Sequence, residues 1–259
     1  MTMALLSVRG VTKKFGGLLA NDSISFDVED GALFAVIGPN GAGKTTLFNM
    51  ISGTFPPTSG DVLFDGASIT RLPQAVVAGQ GLIRTYQLVQ LFKDMTVAEN
   101  VMVGFHRVSK GGIVAGLLRA GWTRRQEEDL TRRTREILDF VGLARRADVL
   151  ADQLPYGEQR LLEVARALAA EPRLLLLDEP AAGLNTEETD ALARVIQRVN
   201  ARGVTIILIE HDMGLVMRLA QRMVVLDFGR KIAEGTPDEI RAHPDVIAAY
   251  LGGTELVDG

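Results

Sequence analysis

The 259-residue sequence contains no cysteine, which excludes disulfides, a thiolate zinc site and a catalytic thiol, and which allows an intracellular location. It also lacks any run approaching the ~20 apolar residues of a membrane-spanning helix. RLLLLDEP and VTIILIEHD are too short to span and read as buried strands. The first residues, MTMALLSVRGVTKKF, lack the positive stretch followed by about seven or more apolar residues that a secretory signal needs, so export is not expected. Excess positive charge is missing as well. A net charge of -4 argues against a general nucleic-acid binder, although a local basic patch is compatible with it. No internal repeat and no low-complexity tract is present.

Against those absences stands a chain long enough for one large α/β domain, alone or carrying a smaller insertion. Residues 4 to 37 alternate β-like stretches such as SISFDV with turns, and ALFAVIG then runs into a glycine-rich loop and the apolar helix TTLFNMIS. Further strands are expected at GLIRTY, RLLLLD, VTIILIE and RMVVLD, separated by helical stretches. That alternation predicts a mostly parallel sheet with helices on both faces. From 97 to 168 the pattern is helical only. Within it, TRRQEEDLTRRTREILDFV places Leu130, Ile137, Leu138 and Val141 on one stripe, and pairs Glu128 with Arg132 and Asp129 with Arg133 at i, i+4. Towards the end, DFG predicts a hairpin turn, and Pro237 and Pro244 are each placed to open a short helix.

GPNGAGKTT, from Gly38 to Thr46, fits the eight-residue phosphate-loop pattern, and it lies between a strand and a helix as that motif requires. In the run Gly38, Pro39, Asn40, Gly41, Ala42 and Gly43 the glycines let backbone N–H groups wrap phosphates, Lys44 neutralises their charge, and the hydroxyl of Thr45 can ligate Mg²⁺, with Thr46 following. LLLLDE supplies a second half: a strand carries Asp178 to the Mg²⁺ end of the site, and Glu179 can orient or deprotonate a water. A second anion-seeking feature lies more than a hundred residues later. In QLPYGEQRLLEVARAL the apolar residues Leu161, Leu162, Ala165 and Leu168 recur at helical spacing, leaving Pro155, Tyr156, Gly157 and Glu158 at an exposed helix start.

Taken together, GPNGAGKTT, Gln87 after a strand, LPYGEQ, LLLLDEP, AAGLN and IEHD resemble the ATP-binding-cassette family in order and spacing over nearly the whole chain. The resemblance implies a P-loop NTPase, RecA-like α/β core with an antiparallel β subdomain and an inserted α-helical subdomain. It makes residues 1–259 one ATP-binding domain, with 1–87 and 169–259 as core and β subdomain and 88–168 as the helical part containing the signature. It implies ATP and Mg²⁺ as ligands, and two cassettes closing head to tail around two ATP molecules. The helix end at Pro155, Tyr156, Gly157 and Glu158 then faces the γ-phosphate held by the partner's phosphate loop. Phe15 matches the aromatic that stacks on adenine, and Gln87 the glutamine that touches Mg²⁺ or the attacking water. His211 matches the histidine that contacts the γ-phosphate. Gly183 to Asn185 match the loop that communicates across the pair, with asparagine where many cassettes have aspartate. Pro155 stands where the commonest signature, LSGGQ, has a serine.

VGFHRVSKGGIVAGLLRAGWTRR, the tail EGTPDEIRAHPDVIAAYLGG, AAGLN and the tyrosine of LPYGE together resemble the larger ATP-binding subunit of bacterial branched-chain amino acid importers. That implies a motor subunit, peripheral on the cytoplasmic face of the inner membrane. Its partners would be a second ATPase subunit, identical or different, two integral membrane subunits and, indirectly, a periplasmic solute-binding protein. Relatives that move urea, amides or lipopolysaccharide share the pattern. A soluble cassette acting on ribosomes or DNA is the reading from another class; such relatives usually carry two cassettes or long coiled insertions, which this chain lacks. A third reading, a nucleotide-gated switch that hardly hydrolyses, is opposed by Glu179 and His211.

Overall fold

The computed structural model describes residues 4–85, 90–105 and 124–251. Gln87, Trp122 and most of the 103–125 segment lie outside the described residues.

The chain opens with an antiparallel sheet in the order β2-β1-β4-β5, made of β1 (Ala4–Phe15), β2 (Leu18–Glu29), β4 (Ser59–Phe64) and β5 (Ala67–Ser68). Alternation in SISFDV decides which face is buried: Ile24, Phe26 and Val28 are inside, while Ser23 and Asp27 are exposed. The larger sheet is ordered β10-β9-β3-β8-β7-β6, from β3 (Leu33–Ile37), β6 (Leu82–Arg84), β7 (Leu174–Asp178), β8 (Thr205–Ile209), β9 (Arg222–Asp227) and β10 (Arg230–Gly235). Strands β9, β3, β8, β7 and β6 are parallel, and β10 closes one edge as an antiparallel hairpin with β9. The hairpin turn at DFG holds Phe228 at φ 41° and Gly229 at φ 78°, so two consecutive residues are left-handed and only one is glycine.

Strands β3, β7 and β8 are buried along their whole length, which explains why they read as unbroken apolar runs. Their residues divide by parity between two cores. Ala35, Ile37, Leu175, Leu177 and Leu208 face one; Phe34, Val36, Leu174, Leu176 and Ile207 face the other. The second core is filled by α1 (Lys44–Ile51) and the antiparallel sheet through Leu47, Phe48, Leu6 and Phe26. The first is covered by α3 (Val97–Gly104), α4 (Arg124–Val141), α5 (Tyr156–Ala169), α6 (Thr186–Ala201) and α7 (Met213–Leu219).

The stripe expected on α4 holds: Leu138 and Val141 are buried, with Leu130 and Ile137 packed against the same core. Its ion pairs differ from the expected i, i+4 set. Arg132 pairs with Asp129 and with Glu136, while Arg133 leaves its own helix for Glu171. Arg133 also lies over the ring of Phe105, the C-cap of α3, 4.6 Å from its centroid. Pro237 and Pro244 open α8 (Pro237–Arg241) and α9 (Pro244–Leu251), following α2 (Gln74–Gly79) and the others in chain order. Among the described residues, no helix is long and apolar enough to cross a membrane.

Candidate functional site: a phosphate loop at the sheet edge

Parallel strands in register bring their carboxyl ends to one edge, where ligands of open α/β sheets bind. Val36 pairs with Ile209 and Asp178 with Ile209, so β3, β7 and β8 end level with one another. The residues that follow them, Gly38, Glu179, Glu210 and His211, therefore emerge together.

Gly38 through Gly43 forms a loop that leads into α1, and its shape depends on glycine at two positions. Gly38 has φ 147°, and a Cβ there would lie 2.0 Å from the carbonyl oxygen of Leu226; Gly43 has φ 95°, with the carbonyl of Ala20 2.5 Å from such a Cβ. The loop is pinned from outside by Asn21, whose amide donates to the Gly43 carbonyl at 3.2 Å, and by the Gly229 N–H, which donates to the Ala42 carbonyl at 3.1 Å. Lys44 is buried, and its ammonium donates to the carbonyls of Gly38 at 2.6 Å and Pro39 at 2.9 Å. The cation is thus aimed into the loop from below. Asn40, Gly41, Ala42, Gly43, Lys44, Thr45 and Thr46 line a cavity of about 450 Å³, together with Glu179 and Phe228.

Asp178 is buried at the end of β7 and accepts from Arg84 at 2.8 Å. Glu179 follows with φ 46°, a left-handed backbone that a glutamate adopts only where its surroundings impose it. Here the Glu179 N–H donates to Ile209 and its carbonyl accepts from Ala182, which turns the side chain out of the sheet and into the cavity. The exposed imidazole of His211 places Nδ1 4.0 Å from Glu179 and 3.8 Å from Glu210. Glu210 itself is buried and accepts from the backbone N–H groups of Ala181 at 2.7 Å and His211 at 3.2 Å. Burial pushes its carboxyl above the usual glutamate range, against the lowering effect of those amide donors.

Phe15 is half exposed, edge-on to Phe55 at 5.5 Å between centroids, and does not line the cavity; the exposed Leu18, Leu19 and Phe228 do. Pro155, Tyr156, Gly157 and Glu158 are absent from the cavity lining as well. Instead Tyr156 and Gly157 meet the 181–188 segment of their own chain, and Glu158 pairs with Arg146. A Cβ on Gly157 would lie 2.6 Å from the Glu188 side chain, and one on Gly183 would lie 3.2 Å from the Tyr156 ring. Pro155 is the N-cap of α5 and not its first helical residue, so that helix has no side-chain cap. Asn185 caps α6 in a reciprocal box with Glu188, a task asparagine performs as well as the aspartate common there. Asn21, Arg84 and Glu210 were not singled out by sequence. The available signal for the last two was a charged residue inside or ending an otherwise apolar strand, in GLIRTY and VTIILIE.

Residues 21–182 match the family model described as ABC transporter, and residues 230–255 match that described as branched-chain amino acid ATP-binding cassette transporter. The chain therefore belongs to the ABC transporter ATP-binding family, whose members bind nucleotide and hydrolyse ATP. Among its relatives, it is 46% identical over 97% of its length to the high-affinity branched-chain amino acid transport ATP-binding protein BraF of Pseudomonas aeruginosa, 99% of which is covered. The LivG protein of Escherichia coli, named in the same terms, is 44% identical at the same coverage. Among solved structures, the ADP conformation of MJ1267, an ATP-binding cassette of an ABC transporter, matches with a TM-score of 0.84 and 32% identity, over 97% of this chain and 100% of that one.

Proposed function

We propose that this chain is the ATP-hydrolysing motor subunit of a branched-chain amino acid importer. The observation that carries the mechanism is the separation of two anion-seeking features. The phosphate loop, Asp178, Glu179 and His211 gather at one sheet edge, while the Tyr156 helix start stands outside that cavity. A nucleotide held by both needs two cassettes. The identity of nearly the full chain to BraF and LivG supports the solute class. The partners are a second cassette, membrane permease subunits and, through them, a periplasmic solute-binding protein, with the chain peripheral on the inner membrane's cytoplasmic face.

In this reading Phe15 stacks on adenine, and the loop amides with Lys44 hold the phosphates. The hydroxyl of Thr45 and the carboxylate of Asp178 are hard oxygen donors suited to Mg²⁺, which takes one or two protein ligands and completes its octahedron with water and phosphate oxygens. No cluster of three or more metal-ligating side chains occurs among the described residues, which fits a metal brought in with its nucleotide. When bound, the ion offsets the charge on the phosphoryl oxygens. Gln87, outside the described residues, is assigned to the metal or the attacking water. Glu179 aligns and deprotonates that water, and His211, beside it, contacts the γ-phosphate. The partner's Tyr156 helix end completes the phosphate's surroundings, and hydrolysis removes the group that bridges the pair.

Glu179→Gln tests this. ATP affinity should stay near normal while turnover falls by about 10²–10⁴-fold, the usual contribution of a general base. ATP-dependent pairs should accumulate in sedimentation. Near-normal hydrolysis by this variant would remove Glu179 from the role.

A further inference from the structure

Arg84 is a cation in a three-residue strand, LIR, and its side chain is only 4% exposed. One guanidinium nitrogen donates to Oδ2 of Asp178 at 2.8 Å; the other donates to Oδ1 of Asn49 at 2.7 Å and to Oγ of Ser52 at 3.1 Å. The ring of Phe48 lies 5.8 Å away. Asn49 and Phe48 belong to α1, the helix that the phosphate loop opens, and Ser52 is its C-cap. Three pieces of the site therefore meet at one buried cation: the phosphate-loop helix, the strand end carrying Asp178, and the strand that leads to Gln87.

The fork has a chemical consequence for Asp178. Because Arg84, itself braced by α1, engages Oδ2, Oδ1 is the carboxylate oxygen left outside the fork. One-oxygen binding suits Mg²⁺, which demands a near-ideal octahedron at about 2.0–2.1 Å. Larger Ca²⁺ takes about 6–8 oxygens at about 2.3–2.6 Å and readily uses both oxygens of a carboxylate. We propose that Arg84 is a positioning residue that holds Asp178 to one-oxygen coordination and so sets the site's preference for Mg²⁺ over larger divalent ions. This rests on the reading of Asp178 as the metal-facing carboxylate.

The test is binding of a fluorescent ATP analogue to the full chain in Mg²⁺, in Ca²⁺ and in EDTA, for the parent, Arg84→Gln, Arg84→Lys and Asp178→Asn. Arg84→Gln should leave binding in EDTA within about twofold and reduce the Mg²⁺-over-Ca²⁺ affinity ratio about tenfold, the scale of one charge-assisted hydrogen bond. Arg84→Lys, which keeps the charge and loses the fork, should shift the ratio in the same direction by less. A purely structural role would weaken all three conditions together and leave the ratio alone. Should Arg84→Gln not fold, Arg84→Lys and Asn49→Ala keep the buried charge and carry the test. An unchanged ratio in the folded variants overturns the proposal. Asp178→Asn separates it from its premise: if that variant keeps the parent's metal dependence, the metal-facing role of Asp178 fails, whatever Arg84 does.

Discussion

Glu210 shows how a single side chain can join two loops of the site. Its carboxylate accepts from Ala181 on one side and from His211 on the other, so the turn after Glu179 and the histidine's backbone share one acceptor. Burial raises its pKa, so the folded chain binds its proton up to a higher pH than the unfolded chain does. Between the ordinary glutamate pKa and the raised one, the folded state carries more protons, and stability contributed by this group is lost as pH rises through that window. Glu210→Gln removes the dependence. In denaturant titrations, the variant should therefore gain on the parent as pH climbs above the ordinary glutamate range, and the gap should level off once the parent's group is ionised. A pH-independent gap would mean that Glu210 is charged alike in both states. His211 is the titratable side chain beside it, and turnover should be read beside stability.

At the scale of elements, α5 begins without a side-chain cap because Pro155, whose fixed φ would equally suit the first helical position, occupies the N-cap. With Glu158 at the third helical position, Pro155→Ser would create the serine-to-glutamate spacing of a capping box. Capping should add about 1 kcal/mol and loss of proline's rigidity should cost about 0.4–1 kcal/mol, so the melting temperature of the single chain should hardly move. Pairing is another matter. The serine oxygen can accept from the Glu158 N–H while its proton donates to the partner's phosphate, a charged hydrogen bond of about 1.5–3 kcal/mol. Sedimentation with ATP in the Glu179→Gln background should show pairing tightened by roughly ten- to a hundredfold. Gly157→Asp is a poor probe of pairing, because its side chain would meet Glu188 of the same chain before any partner. Legibility from sequence followed this divide. Apolar runs predicted β3, β7 and β8, helical spacing the α4 stripe and turn residues the hairpin, because all of these are properties of contiguous residues. Arg84 to Asn49, Arg133 to Glu171 and Gly157 to Glu188 join residues 35, 38 and 31 apart, and no local pattern encodes such meetings.

For the whole molecule, a site completed in trans ties activity to concentration. The isolated chain should hydrolyse ATP slowly and with a rate per subunit that rises with protein concentration, then rise further with the second cassette and the membrane subunits present. Full turnover by a monomer at high dilution would contradict a shared site. The location of the Tyr156 helix start outside its own cavity also carries a genetic consequence. In the proposed head-to-tail pair, a defect in the phosphate loop would disable the nucleotide held by the chain that bears it, whereas a defect at the helix start would disable its neighbour's. If this chain pairs with itself, two inactive alleles, one of each kind, would assemble pairs in which both lesions fall on the same nucleotide and the other nucleotide is surrounded by intact residues. Two dead copies would then restore partial growth together, and their failure to do so would point to a pair built from two different genes.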